Sequence, residues 1–396
     1  MIERPRYMEW LERWKDEPVI KVITGLRRCG KSSILELFRQ HLSAQGVSND
    51  NIVSINFESL DEEYPLKAKP LYDYIVQSLG HGLNYVFLDE VQHVENFERA
   101  VDALALRDDV DLYITGSNAH MLSGELATLL TGRYVELRML PLSFAEFRSA
   151  WDEGVSTEVL FMRYLSYGGM PYIVRLNDDE SIADYLGGVF STIIVKDIAT
   201  RHPRMNMRSF NKTAAFLADN IGNISSQAKI SRGLTNDGGK VSATAVAEYV
   251  NALLKNYLLF RAERYNIKGH EYLETLEKYY LGDLGFRFWL LGKTKQDVGR
   301  CLENVVYLEL LRRYRSVAIG KIGEREVDFV ASDQAGPHYY QVSQTVMESA
   351  TLERELSALQ SIRDDYPKTL LTLDRIGSSD HNGIKQKNVI DWLLET

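Results

Sequence analysis

The chain has 396 residues, 45% of them hydrophobic, which is too long for one ordinary core and implies two or three domains. No run approaches the roughly 18 apolar residues of a membrane span, and the start Met1-Ile2-Glu3-Arg4-Pro5-Arg6 lacks a signal peptide's apolar core, so a cytoplasmic protein with no membrane partner is expected. Two cysteines, Cys29 and Cys301, exclude a disulfide framework or a cysteine-rich metal site, and a net charge of −9 excludes wholesale coating of nucleic acid.

Residues 25–32 read Gly-Leu-Arg-Arg-Cys-Gly-Lys-Ser, a complete G-x-x-x-x-G-K-S phosphate-binding loop. Val19, Ile20, Val22 and Ile23 predict a strand before it, and Ile34, Leu35, Leu37 and Phe38 predict a helix after it. In that setting the backbone N–H groups of Gly25, Leu26, Arg27, Arg28, Cys29, Gly30, Lys31, Ser32 and Ser33 face a polyphosphate. Lys31 reaches its outer phosphates, and the Ser32 hydroxyl can hold Mg²⁺. Arg27 and Arg28 add positive charge, whether they touch phosphate or face solvent and packed protein. Cys29, near a helix N-terminus, is either a favoured thiolate or a small space-filling residue.

Residues 51–58 alternate like a strand, and Tyr85-Val86-Phe87-Leu88-Asp89-Glu90 is an apolar run ending in two acids. Asp89, at the tip of a strand expected beside the phosphate-loop strand, is assigned to the Mg²⁺ shell, and Glu90 to activation of the attacking water. The strand over residues 111–116 ends in Ser117-Asn118, at the carboxyl end where parallel sheets place ligands. Asn118 is a candidate water-positioning or γ-phosphate-sensing residue, or else a cap for the segment running toward Leu122. Arg133 stands where a turn enters the next strand. It either stabilises transition-state charge, from its own or a neighbouring subunit of a homo-oligomer, or pairs with an acid.

The loop string, Phe87-Leu88-Asp89-Glu90-Val91-Gln92, Ile114-Thr115-Gly116-Ser117-Asn118, Thr131-Gly132-Arg133 and Pro141-Leu142-Ser143-Phe144-Ala145-Glu146-Phe147 together resemble a group of prokaryotic AAA-type ATPases. The resemblance implies an ATPase core of the additional-strand type, with Lys31, Ser32, Asp89 and Glu90 in the usual roles. Asn118 matches the sensor position, and Arg133 only a Gly-Arg motif. With no Asn-Lys-x-Asp guanine-reading motif, ATP is preferred over GTP.

Residues 157–204 read as helical, broken at Tyr167-Gly168-Gly169-Met170-Pro171, a turn that the same group shares. Helices over 209–221, 226–234 and 242–256 and strands over 257–264 and 278–282 make a winged helix. Residues 205–300 carry 14 Lys and Arg against 9 Asp and Glu, so any DNA contact is expected there. The third helix exposes Glu248 and Asn251 against Lys255, which leaves Arg261, Arg264 and Lys268 on the wing as the candidates. A protein-docking role is the alternative.

From 303 onward the order is helix (303–314), strands (317–322, 326–331, 339–343), helix (351–362) and strand (368–373). It resembles the restriction-endonuclease-like domains that follow the ATPase in that group. Their resemblance implies an acid on the second strand and an acid-x-lysine on the third that bind Mg²⁺. Asp328 fills the first position and Glu309 could add a helix carboxylate, but the third strand reads Gln341-Val342-Ser343, with no lysine at the required spacing. Active cleavage is not expected.

The expected protein is thus α/β, with a parallel-sheet AAA-type ATPase core (1–150), a helical lid (151–204), a winged helix (205–300) and an inactive nuclease-like domain (301–396). It uses ATP and Mg²⁺ and couples nucleotide state to its C-terminal domains, on DNA or with a protein partner. An ATP-gated DNA-processing nuclease and a non-hydrolysing ATP-bound scaffold are the alternatives.

Overall fold

The computed structural model describes residues 1–59, 64–119, 132–236, 241–293, 297–375 and 379–395. The expected segment toward Leu122 and residue Thr131 lie outside them. Two compact units form, one of Met1–Pro141 with Lys255–Tyr257, the other of Leu142–Leu254 with Leu258–Thr396.

In the first unit, β1 (Ile20–Gly25), β2 (Ile52–Asn56), β3 (Asn84–Asp89), β4 (Val110–Gly116) and β5 (Tyr134–Met139) form one sheet in the order β2-β3-β4-β1-β5. Every pairing is parallel. β1, β3 and β4 are buried nearly throughout, which is why they read as continuous apolar runs rather than alternating ones. The helices are α1 (Pro5–Trp14), α2 (Lys31–Ala44), α3 (Ala68–Gln77) and α4 (Phe97–Ala105). One core joins Val22, Val53, Val86, Leu112 and Ile114 to Leu71, Ile75, Val101 and Leu104 of α3 and α4. On α2, Phe38 meets the stacked rings of Phe87 and Tyr113, whose centroids are 4.8 Å apart.

The strand order corrects one expectation. β3 is not beside the phosphate-loop strand: β4 lies between β3 and β1. This inserted strand is the feature that the family resemblance implied.

The second unit begins with α5 (Phe144–Ser149), α6 (Thr157–Tyr167) and α7 (Asp179–Thr192), which runs into a π-helical turn, Ile193–Ala199. There follow α8 (Met207–Asp219), α9 (Gln227–Asn236), α10 (Ala243–Lys255) and the antiparallel hairpin of β6 (Leu259–Asn266) and β7 (Glu271–Leu281). β7 starts seven residues before the expected strand, because Leu273, Tyr272 and Glu271 pair with Arg264, Tyr265 and Asn266 after a bulge at Ala262. The remainder is α11 (Leu284–Leu291), α12 (Val298–Arg313), β8 (Ser316–Ile322), β9 (Arg325–Asp333), β10 (Gly336–Val342), α13 (Ser349–Gln360), β11 (Lys368–Thr372), β12 (Ser379–His381), β13 (Ile384–Asn388) and α14 (Val389–Leu394). All eight strands share one mixed sheet, β12-β13-β11-β10-β9-β8-β6-β7, so the hairpin continues the C-terminal sheet through parallel pairing of β6 with β8.

The glycine-rich break after α6 has a physical cause. Gly168 has φ +77°, and a Cβ there would sit 1.9 Å from Asp283 Oδ1. Asp283 caps α11, and its carboxylate accepts from the N–H groups of Gly169 at 2.7 Å and Gly285 at 2.8 Å. Burial pushes this carboxyl up to about 7, against those N–H groups and Arg312.

Candidate functional site

β1 hands the chain to the loop at Gly25, whose φ is +151°. A Cβ there would lie 2.3 Å from the Met139 carbonyl oxygen, so only glycine lets the loop leave the sheet beside β5. Gly30, at φ +109°, caps α2, and Lys31 is that helix's first residue. Arg4, which no motif signals, braces the loop: Nη1 donates to the Cys29 carbonyl at 3.1 Å and Nη2 to the Leu140 carbonyl at 2.9 Å. Cys29 is fully buried, and burial pushes its thiol up despite Lys31 and Arg4 nearby. It fills space rather than presenting a thiolate. Leu26 is buried, Arg27 pairs with Glu58 at 2.8 Å, and Arg28, Ser32 and Ser33 are exposed.

The Lys31 Nζ is buried and turned toward the loop, 3.3 Å from the Gly25 carbonyl, 3.5 Å from that of Leu26 and 3.3 Å from Glu90 Oε1. Glu90 follows β3 in the left-handed region, at φ +54°, a strain that persists where surroundings over-determine it. Its N–H donates to Thr115 Oγ1 at 2.9 Å, and its Oε2 accepts from Gln92 at 2.5 Å. Burial raises the Glu90 carboxyl, but Lys31, the Gln92 amide and Arg27 outweigh it and hold the group below the ordinary glutamate range. Glu90 is therefore an ionised carboxylate at neutral pH.

Asp89 ends β3. The inserted strand β4 joins it to β1, since Thr115 pairs with Ile23 in register and donates its hydroxyl to Asp89 Oδ1 at 2.5 Å. Burial raises the Asp89 carboxyl, partly offset by hydrogen bonds from Ser32 and Thr115. A buried carboxylate and two hydroxyls are hard oxygen donors that fit Mg²⁺, which Ser32 and Asp89 would hold. No group of three or more His, Cys, Asp or Glu suits a metal among the described residues.

Asn118 is 2% exposed, and its Oδ1 has no hydrogen-bond partner among the described residues. Gln92 donates weakly from Nε2 to Ser117 Oγ at 3.5 Å, and its Oε1 is likewise unsatisfied among the described residues. Buried orphan acceptors carry a desolvation cost of about 1–3 kcal/mol each, which a ligand or water donor relieves. Arg133 does not join this group. It precedes β5 at the end of the sheet opposite Gly25, about 20 Å away at roughly 3.3 Å per residue, and pairs with Asp102 at 2.9 Å. This is the acid-pairing alternative, and it takes Arg133 out of its own subunit's site.

In the second unit, Asp328 is half-buried on β9 and accepts from the Val342 N–H at 2.9 Å. Gln341 accepts from the Asp328 N–H at 3.3 Å and donates to Glu355 at 2.8 Å. The helix carboxylate beside Asp328 is Glu303, not Glu309, which is held by Arg312 at 3.2 Å and Arg313 at 2.7 Å. A lysine absent from the third strand arrives from β7: Lys278, 4% exposed, lies 3.0 Å from Glu303 and 2.8 Å from Glu326. Desolvation and the Glu303 carboxylate raise the Asp328 carboxyl, and Lys278 opposes them. The Lys278 ammonium is thus already paired by two carboxylates of this cluster. Of the wing candidates, Arg261 is neutralised by Glu277 and Glu263 at 3.3 and 3.4 Å, Arg264 is half-buried, and Lys268 is exposed.

No helix of the described residues is long and apolar enough to cross a membrane. Residues 17–148 match the family model of an AAA domain, and residues 158–297 that of a domain of unknown function, DUF8612. Over 400 residues the chain is 37% identical to an uncharacterized protein of Haemophilus influenzae, spanning 100% of this chain and 99% of that one. It is 30% identical over 316 residues to an uncharacterized protein of Methanocaldococcus jannaschii, spanning 74% and 67%. A Walker-type ATPase of Pyrococcus abyssi shares the fold, with a TM-score of 0.51 at 16% identity over 73% of this chain and 96% of that one. The chain therefore belongs to the family of the Haemophilus influenzae protein, and its first unit is an AAA-type ATPase domain with a P-loop NTPase fold.

Proposed function

We propose that the first unit binds ATP with Mg²⁺ and hydrolyses it, and that the phosphate state is transmitted to the second unit. The observation that carries this reading is the convergence of Lys31, Asp89, Glu90 and Asn118 at the carboxyl end of one parallel sheet. The loop N–H groups and Lys31 hold the β- and γ-phosphates, Ser32 and Asp89 hold the metal, and Asn118 offers its unsatisfied oxygen to the attacking water. Bound Mg²⁺ supplies charge neutralisation on the phosphates. When ATP phosphates draw Lys31 away, Glu90 is released to accept the proton of that water.

Transmission has a physical candidate in Tyr257. Lys255–Tyr257 clusters with the first unit, while the chain on either side of it belongs to the second. Tyr257 is 5% exposed, has φ +57°, and hydrogen-bonds Thr24, the residue before Gly25. Thr24 in turn donates to Glu136 at 2.7 Å.

For the second unit, three helices followed by a hairpin support a winged-helix reading of residues 205–300, and the remaining strands a nuclease-like reading of 301–396. Lys278 among Glu303, Glu326 and Asp328 favours a structural role for that cluster over metal-dependent cleavage. Two buried free thiols suit a cytoplasmic protein. The test is ATP turnover with and without DNA in the wild type, Lys31→Ala and Glu90→Gln. Turnover in both variants equal to wild type would overturn the assignment.

A further inference from the structure

A cleft of about 810 Å³ opens in the second unit among the tip of the β6–β7 hairpin, the β8–β9 turn and the end of α13. Its floor is apolar, made by the buried side chains of Ile267, Ile322 and Ile362. Each of the three segments also contributes an exposed cation to the lining: Lys268 from the hairpin, Arg325 from β9 and Arg363 from beyond α13. The three contrast with Arg261, which two glutamates neutralise: Lys268 and Arg363 form no ion pair among the described residues, and Arg325 only donates to the Ser357 carbonyl at 3.3 Å.

Two acids share the lining. Asp364 is already engaged, by Lys368 at 3.3 Å and the Tyr339 hydroxyl at 2.6 Å, which leaves Glu324 as the one opposing charge among the described residues. His270 also lines the cleft, its Nδ1 3.3 Å from the Tyr265 hydroxyl, and Tyr265 meets Tyr272 edge-on with centroids 5.3 Å apart. Tyr272 is 54% exposed, a large aromatic face turned to solvent.

We propose that this cleft binds a single nucleic-acid strand, with Lys268, Arg325 and Arg363 on successive phosphates, the isoleucine floor against the sugar or base edges, and Tyr272 as a stacking platform. Cations from three separate segments converge on one apolar trough in a chain of net charge −9, and that local complementarity favours a polyanion carrying planar apolar groups. An unpaired strand offers those base faces, whereas a duplex conceals them. The inference names the partner of the proposed ATP-driven protein and thus rests on that reading for its purpose, but none of its residues belongs to the nucleotide site.

The test is fluorescence anisotropy of a labelled single-stranded DNA 20-mer with the full chain, between 50 and 200 mM salt, for the wild type and the triple variant Lys268→Ala, Arg325→Ala, Arg363→Ala. We expect salt-sensitive binding by the wild type and at least tenfold weaker binding by the triple variant. Its slope of log K against log salt should be shallower by about 2, at roughly 0.7 per phosphate contact on a single strand. Lys268→Arg should retain affinity, and thermal melting should show the triple variant folded. Absence of binding by the wild type, equal affinity in the triple variant, or complete displacement by millimolar inorganic phosphate or ATP would each overturn the proposal. ATP turnover sensitive to Glu90→Gln is a separate readout, so failure of either reading leaves the other measurable.

Discussion

The Lys31 ammonium stands 3.3 Å from the Glu90 carboxylate, and both side chains are more than nine-tenths buried. A buried pair of this kind draws little net stability from its attraction, but removing one member strands the other charge, at a cost of about 3–5 kcal/mol. Lys31→Ala should therefore lower the melting temperature of the first unit as well as weaken binding of a fluorescent ATP analogue by at least tenfold. A variant that lost nucleotide with an unchanged melting temperature would show that the pair is not formed in solution.

Gln92 is a positioning residue in this account, since its amide holds Glu90 Oε2 at 2.5 Å without standing in the loop. Gln92→Leu removes that tether and retains bulk. Turnover at saturating ATP should drop about tenfold with nucleotide affinity within twofold of wild type, in the range of a disturbed general base. An equal loss in affinity would instead mark Gln92 as a binding residue.

Both cysteines are buried, and burial raises both thiols. Thiolate is the reactive form, so neither should react with a thiol-specific disulfide reagent in the folded protein, and both should after denaturation. Cys29→Ala should keep most of the turnover. A fast-reacting thiol in the native chain would contradict the packing around Gly25 and Met139.

Asp283 sets a pH dependence in the second unit. Its folded pKa, pushed up to about 7 by burial, lies above the ordinary aspartate value, so the folded state holds this proton more tightly than the unfolded chain. Stability from the group is complete below about pH 4 and is lost as pH rises toward 7. The amide in Asp283→Asn does not titrate, so the variant should gain on the wild type by a few kcal/mol between pH 4 and 8 in denaturant titrations. A constant difference across that range would mean that the two backbone N–H groups keep Asp283 ionised throughout.

The nucleotide site was legible in the sequence to the extent that it is local. Gly25, Gly30, Lys31 and Ser32 are constrained by one turn, and the apolar runs around them and around Asp89 require buried parallel strands. The resemblance implied an additional strand but not the contact made by Thr115, an unremarkable polar residue until register places it between Ile23 and Asp89. Arg4 and Tyr257 reach the loop from distant positions and carry no motif. Arg133 resembled a functional arginine by its Gly-Arg context, but parallel pairing with β1 puts it at the far end of the sheet. Lys278, like Arg4, carries no local signal, because spacing along one strand does not show a lysine delivered by a neighbouring hairpin.

The most direct test of the central claim compares wild type with Glu90→Gln in paired measurements of ATP affinity and steady-state phosphate release. Glu90→Gln should bind ATP at least as tightly as wild type, since Lys31 loses its competing partner, while turnover falls by about 10²–10⁴-fold. Undiminished phosphate release by Glu90→Gln would contradict it.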